Sequence, residues 1–467
     1  MAMRLAEVAR ATGGILLVGS PESLLPAVSI DSRRITAEQI FIPITGERFR
    51  GQDFVTEVID KGAAGVFTEE WGDSLKRHVA EAVGIRAVVK VASGNQALTD
   101  VARLARRKSK AKAIAITGSS GKTSTKNLLA GALSMESKVY VSPANYNNEV
   151  GVPLTIIKAP PDVDFLILEL GMRGIGQIKE LAELAAPDIG VITNVGEAHL
   201  GLLGSREKIA AAKAELLEAL PPRGVAIINA DDDFAPDMAS LCRAAVLTFG
   251  LADRADFRAT DVRLDDEARP TFVLRTPTDD CEIVLRLSGR HSVMNALAAA
   301  AAATAAGASL EGIQRGLAQV EPPPMRLQVV EVGDIKIIND CYNANPGSVM
   351  VALGTLSDTR APGRHVAILG DMAELGDYAQ EAHLRVGAAA VAMGVDLLIC
   401  VGALAKGIVE GALSAGMDAG VCHWFADVAE AGENLAPLLR PGDLVLLKGS
   451  RVMGLERLVE YLDSSGG

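Results

Sequence analysis

"AIAITGSSGKTSTKNLLAGAL", residues 113–133, is the stretch on which the reading of this chain turns. It opens with an uninterrupted apolar run, as in a strand covered on both faces. Gly118, Ser119, Ser120, Gly121, Lys122, Thr123 and Ser124 follow, and then a run of good helix formers. In a strand, glycine turn and helix N-terminus of this kind, free backbone N–H groups hold an anion, a lysine reaches the terminal phosphates and a Ser or Thr hydroxyl ligates Mg2+. The spacing departs from the common GxxxxGK[ST] loop, because Ile116 stands where the first glycine would be. Phosphate binding follows from these residues; the usual family label does not.

The rest of the chain is built in the same style. At 467 residues and 49% hydrophobic it is too long for one core and divides into about three domains of roughly 150 residues each. Apolar strand-like runs alternate with helical ones, which predicts an α/β chain. Residues 106–113, "RRKSKAKA", form a basic, apolar-poor joint, and the prolines of "QVEPPPMRL", residues 319–327, exclude helix and central strand. We therefore expect domains at 1–108, 109–320 and 321–467. Central-domain strands are expected in 164–171, 188–196 and 224–232. "IKIIND", "HVAILGDM", "DLLICVG" and "DLVLLKGS" carry the same strand, loop, helix order in the last domain. The Ala-rich segment 295–307 reads as a buried helix closed by Gly307.

Composition also excludes. Five isolated cysteines offer neither a disulfide framework nor a thiolate zinc site, which points to a reducing, cytoplasmic setting. The apolar core of the N-terminal segment is too short for a signal peptide or membrane span. A net charge of −12 argues against nucleic-acid binding, so an anionic ligand must be held by local cations and helix ends. Nothing in the sequence speaks to oligomeric state, and a monomer is the default.

In open α/β sheets ligands gather at the carboxyl ends of the strands. One such end carries the loop 118–123. Another places Glu169 at the tip of a buried strand, where an ionised carboxylate needs a compensating cation or donor. A third delivers His199. With Thr123 these make a plausible Mg2+ shell, although taken singly His199 reads more readily as a hydrogen-bonded loop histidine, and Glu169 equally as a cap or ion pair. In "SREKIAAAKAELLEAL", residues 205–220, Lys213 falls on the apolar stripe with Ile209, Leu216, Leu217 and Leu220. A lysine there either snorkels and pairs, or is desolvated, neutral and able to add CO2 as a carbamate, one more oxygen ligand for Mg2+.

With these residues assembled, the chain resembles the Mur ligases, ATP-dependent amide-forming enzymes of the peptidoglycan precursor, over nearly its whole length. The family's loop pattern TG[ST]xGK[ST][ST] matches "TGSSGKTST", which explains the short glycine spacing. The resemblance implies a uridine-nucleotide domain, a central ATPase domain and a Rossmann-like C-terminal domain. It implies that Lys122 contacts the transferred phosphate, that Thr123, Glu169 and His199 serve two Mg2+ ions, and that Lys213 is carbamylated. "NYNNEVGVPLT", with Asn147, is a further match. Asn295 in "GRHSVMNALAA" would face adenine, Arg326 in "MRLQ" the phosphates, and Asp340 the ribose.

"NDCYNANPGS" and "LGDMAELG" are similar to the branch of the family that adds D-alanyl-D-alanine to a UDP-N-acetylmuramoyl-tripeptide. Asn343 and Asn345 are then substrate contacts, although "NANP" alone could be an Asx turn before Pro346. Lys448 and Arg451 are candidate carboxylate holders or surface charges. "SIDSRRI" and "GERFRGQDF" resemble the uridine site, with Ser29, Ser32 and Arg33 as contacts; Gln52 stands where many relatives carry His. Two other readings remain open here: a folylpolyglutamate synthase-like ligase, and a non-catalytic nucleotide-dependent regulator.

Overall fold

The computed structural model describes residues 2–143 and 145–465. Lys112–Thr117 lies inside a nine-stranded sheet, between the parallel strands Phe165–Glu169 and Ile189–Ile192. Ala113, Ile114, Ala115 and Ile116 are wholly buried, as expected of a strand with helices on both faces. Val139–Val141 extends the sheet on one side; Val225–Asn229 and Ala245–Gly250 extend it on the other, all parallel. Because these strands run the same way, the ends that carry Gly118, Glu169 and Thr193 lie along one edge.

The far side differs from the sequence expectation. Phe257–Leu264, Pro270–Arg275 and Asp280–Val284 add an antiparallel meander to the parallel sheet. Burial alternates along Pro270–Arg275, so these strands have a covered face and a wet one, and they lack the continuous apolar run that marks the parallel strands. Phe272 and Leu274 on the covered face join the core beneath the Ala-rich helix His291–Ala306, which ends at Gly307 with φ 100°.

Two smaller sheets flank this one. The N-terminal sheet has five strands in the spatial order Ile15–Val18, Ala87–Lys90, Gly65–Thr68, Gln39–Phe41 and Ala27–Ser29, with only the first antiparallel to its neighbour. The helix Gly94–Lys108 runs through the first half of the basic joint, and its buried face shares one apolar core with central helices. Arg106 fixes that end by donating to the carbonyls of Ala185 at 2.6 Å and Ala111 at 3.2 Å. Beyond the prolines lies the six-stranded sheet Gln328–Val332, Ile335–Asn339, Leu444–Lys448, His365–Gly370, Leu397–Val401 and Cys422–Phe425, parallel except for its first strand. Separate apolar clusters cover its two faces. The chain is thus α/β, with three mostly parallel sheets, each with its own helices.

Candidate active site

The strand Lys112–Thr117 runs into a loop whose shape depends on glycine. Gly121 has φ 78°, and a Cβ there would collide with the Asn295 side chain; one on Gly118 would collide with Thr193. Gly121 caps the helix Lys122–Ser134 without any side-chain cap, so the first-turn N–H groups remain available to an anion. The loop is laced to the chain after Ile189–Ile192. Ser120 N donates to Asn194 Oδ1 at 3.0 Å, Gly196 N to Ser119 Oγ at 2.8 Å, and Thr193 Oγ1 to the Ser120 carbonyl at 2.5 Å. Lys122 folds back over the loop and donates to the Gly118 carbonyl at 2.6 Å. Its amine is held below the usual lysine range, by burial first and by Arg326, with Glu169 opposing.

Glu169 is 2% exposed and its carboxylate is surrounded by donors. Thr123 Oγ1 donates to one oxygen at 2.8 Å and Asn147 Nδ2 to the other at 2.9 Å, while Lys126 Nζ stands 3.6 Å away. Burial alone would raise this carboxyl. Lys122, Lys126 and the two hydrogen bonds outweigh it, and the group lies below its ordinary value. Lys126 was not anticipated, although its place one turn beyond Lys122 on the same helix face is readable in "GKTSTK".

His199 precedes the short helix Leu200–Leu203 with φ 66°, a left-handed conformation uncommon for a side-chain residue. Its Nδ1 is buried without a hydrogen-bond partner; Glu374 Oε2 of the last domain approaches it to 3.5 Å. Burial, then Lys122, Lys213 and Arg173, lower its pKa to about 4, so the imidazole is neutral near pH 7. Lys213 is 1% exposed on the helix Arg206–Glu218, and no ion pair or hydrogen bond joins its amine to any described residue. Burial pushes its pKa far down, Lys122 adds to this, and Asp232 opposes it. The snorkelling alternative therefore does not describe this side chain.

The phosphate loop, Glu169 and His199, but not Lys126 or Lys213, border a cavity of about 1120 Å³ between the central and C-terminal domains. Gly121, Lys122, Thr123, Ser124, Asn147, Glu169, His199 and Asn295 form one wall, and Arg326, Asp340, Asn343, Asn345 and Lys448 the other. Arg326 lies 4.0 Å over the Tyr342 ring. Lys448 is buried against Asp340, with Nζ to Oδ2 at 2.5 Å, and also donates to the Asn343 carbonyl at 3.0 Å. Asn345 caps the helix Pro346–Asp358 by accepting from Ser348 N at 2.9 Å, so its carbonyl oxygen serves the helix. Arg451 pairs with Glu456 at 2.7 Å.

Ser29, Ser32 and Arg33 do not border this cavity. Arg33 is an exposed side chain paired with Asp31 through Nε at 2.9 Å and Nη2 at 3.0 Å. Ser29 Oγ accepts from Asp31 N at 3.3 Å, and the Ser32 carbonyl accepts from Lys61 at 3.0 Å. Gln52 is buried and braces its own domain, accepting from Glu69 N at 2.7 Å and donating to Thr68 at 3.1 Å. Asn194, Glu374 and His291 border the cavity and were not anticipated. His291, in "GRHSVMN", has an unpartnered Nδ1 and is held neutral mainly by burial, with pKa about 4.

The donor set tests the expected metal. Among the described residues no three His, Cys, Asp or Glu side chains cluster closely enough to hold an ion by themselves. Mg2+ at phosphate sites characteristically uses one or two carboxylates with hydroxyl, water and substrate oxygens. Glu169 bonded to Thr123 fits that description, and the unpartnered His199 Nδ1, a nitrogen donor, belongs to a residue that borders the same cavity.

Three family profiles match successive parts of the chain: "Mur ligase family, catalytic domain" over residues 25–106, "Mur ligase middle domain" over 116–303 and "Mur ligase, glutamate ligase domain" over 325–451. The UDP-N-acetylmuramoyl-tripeptide--D-alanyl-D-alanine ligase of Mycobacterium tuberculosis strain H37Rv is 37% identical, covering 98% of this chain and 97% of that protein. A crystal structure of MurF from Acinetobacter baumannii is similar with a TM-score of 0.89 at 30% identity, covering 99% of both chains. MurF ligase from Thermotoga maritima, solved in complex with ADP, is similar with a TM-score of 0.79 at 26% identity, over 94% of this chain and 97% of that one.

Proposed function

This chain belongs to the Mur ligase family, and from that premise we propose that it joins D-alanyl-D-alanine to UDP-N-acetylmuramoyl-tripeptide with ATP, releasing ADP and phosphate. The observation that carries the reading is the cavity shared by the phosphate loop and the C-terminal wall, in a chain whose relatives of that name match it end to end. A folylpolyglutamate synthase-like activity is disfavoured by those same relatives.

A carboxylate resists attack by an amine because of its charge and resonance, so it must first be activated. The tripeptide's terminal carboxylate attacks the γ-phosphate of ATP and gives an acyl phosphate. The loop N–H groups and Lys122 hold the phosphate, since preorganised donors stabilise charge that develops in transfer. Gly118, Ser119, Ser120, Gly121 and Ser124 line the ATP site, with Asn295 at adenine, Arg326 at the phosphates and Asp340 at the ribose. The amine of the dipeptide then attacks the acyl carbon, and phosphate leaves from the tetrahedral intermediate. Closure of the domains around the cavity would exclude water from the acyl phosphate.

Thr123, Glu169 and His199 would hold Mg2+, in two sites, and the metal would supply positive charge against the phosphates. Lys213, buried and with its pKa pushed well below the usual lysine range, is the candidate for a carbamate, which would add an anionic oxygen to that shell. Ser29, Ser32 and Arg33 would contact the uridine nucleotide, and Asn147, Asn343, Asn345 and Lys448 the peptide substrates. We place the domain boundaries near residues 108 and 320, and take the enzyme to be a cytoplasmic monomer without nucleic-acid or membrane partners. No helix among the described residues is long and apolar enough to cross a membrane.

Purified protein should form ADP and phosphate only when ATP, UDP-tripeptide and D-alanyl-D-alanine are all present, and folates should not replace the UDP-tripeptide. Tight ATP binding with no stimulated turnover would instead favour a nucleotide-dependent regulator.

A further inference from the structure

An incoming dipeptide presents an ammonium group, and an ammonium entering a partly closed cavity needs a carboxylate that is not already occupied. Two carboxylates of the C-terminal domain border the cavity, Asp340 and Glu374. Asp340 is taken: Lys448 Nζ lies 2.5 Å from Oδ2, and Leu327 N donates to Oδ1 at 3.2 Å. Glu374 is not. Its side chain is half exposed, no Lys or Arg among the described residues pairs with it, and the group facing it is the His199 imidazole at 3.5 Å.

The backbone is arranged to present it. Glu374 has φ 63°, in the left-handed region that side-chain residues rarely occupy. The turn that holds this conformation is tied down on both sides. Met372 N donates to His383 Nε2 at 3.0 Å, Ala373 N to Ser450 Oγ at 2.8 Å, and Tyr378 N to the Leu375 carbonyl at 3.2 Å. His199, across the gap, has the same unusual backbone conformation at φ 66°. Two strained residues from two domains thus face each other in the cavity that the phosphate loop also borders. Strain of this kind persists where surrounding structure enforces it, and it concentrates at working sites.

We propose that Glu374 receives the ammonium of D-alanyl-D-alanine and holds the amine beside His199 and the phosphate loop, where the acyl phosphate forms. This rests on the ligase reading above. It assigns the nucleophile's binding contact to the C-terminal domain, so the amine reaches the acyl carbon only when that domain is docked on the central one.

Steady-state kinetics of Glu374→Gln, which keeps the shape and removes the charge, test the proposal. The KM for D-alanyl-D-alanine should rise about 10- to 100-fold, the loss expected for one ionic hydrogen bond, while KM for ATP and for UDP-tripeptide stay within about threefold. Inhibition by N-propionyl-D-alanine, the dipeptide without its amino group, provides a readout that general damage would not mimic. The native enzyme should favour the dipeptide over this analogue, Glu374→Gln should lose that preference, and Glu374→Asp should keep part of it. An unchanged dipeptide KM, or a preference for the amine that survives in Glu374→Gln, overturns the proposal. Absence of any amide product from the unaltered enzyme would sink the ligase reading itself, a distinguishable result.

Discussion

Lys213 is the residue whose chemistry is least expected from its type. A lysine buried to 1% exposure, with no partner among the described residues, would ordinarily destabilise the fold, because a charged amine away from water is costly. Burial pushes its pKa well below the usual lysine range, and an amine that sheds its proton more readily is better able to add CO2. Lys213→Ala should lose nearly all turnover, and formate or another short carboxylate should restore part of it by occupying the vacated space; full activity in the plain variant, measured by phosphate release, would remove the carbamate. The inward placement of Lys213 is legible in the helical spacing of 205–220. Its lack of a partner is not, because that depends on what the tertiary packing leaves nearby. Lys126 shows the converse. Its position is visible in the sequence, but its pairing with Glu169 depends on a strand more than forty residues away.

The short helix Leu200–Leu203 links His199 to the C-terminal domain. A Cβ on Gly201 would fall 2.6 Å from the Leu375 carbonyl carbon and 2.8 Å from Gly376 N, so only glycine permits this approach. Beside it, Glu197 pairs through both oxygens with Arg385. Gly201→Val should push the helix off the turn at 375–376 and displace His199 from Glu374. A shift of about 1 Å at a reacting centre can lower kcat/KM roughly a hundredfold. Thermal unfolding followed by circular dichroism should show little change, because the contact lies between domains and Gly201 itself is exposed; wild-type kinetics would contradict the assignment. The parallel strands were legible from their apolar runs and the loop from its glycines. The antiparallel meander 257–284 was not, because its strands alternate buried and wet positions and resemble turn-rich surface segments. The docking of Gly201 was equally hidden, since it joins residues far apart in the chain.

Across the whole molecule, the C-terminal domain meets the central one through ion pairs: Glu197 with Arg385, Arg290 with Asp358 and Asp266 with Arg360. Exposed pairs of this kind contribute about 0–1 kcal/mol each and weaken with salt. The seam is therefore suited to opening and closing, as substrate entry and exclusion of water require. The three-domain division was readable from the basic joint and the prolines. The sharing of one cavity by the central and C-terminal domains was not, and neither was the position of Ser29, Ser32 and Arg33 outside it. The central chemical commitment is that ATP activates the tripeptide by forming an acyl phosphate in that cavity. Tripeptide labelled with heavy oxygen in its terminal carboxylate, turned over with ATP and D-alanyl-D-alanine, tests it most directly by mass spectrometry of the products. One heavy oxygen should appear in the released phosphate; unlabelled phosphate, or label recovered in AMP, would contradict it.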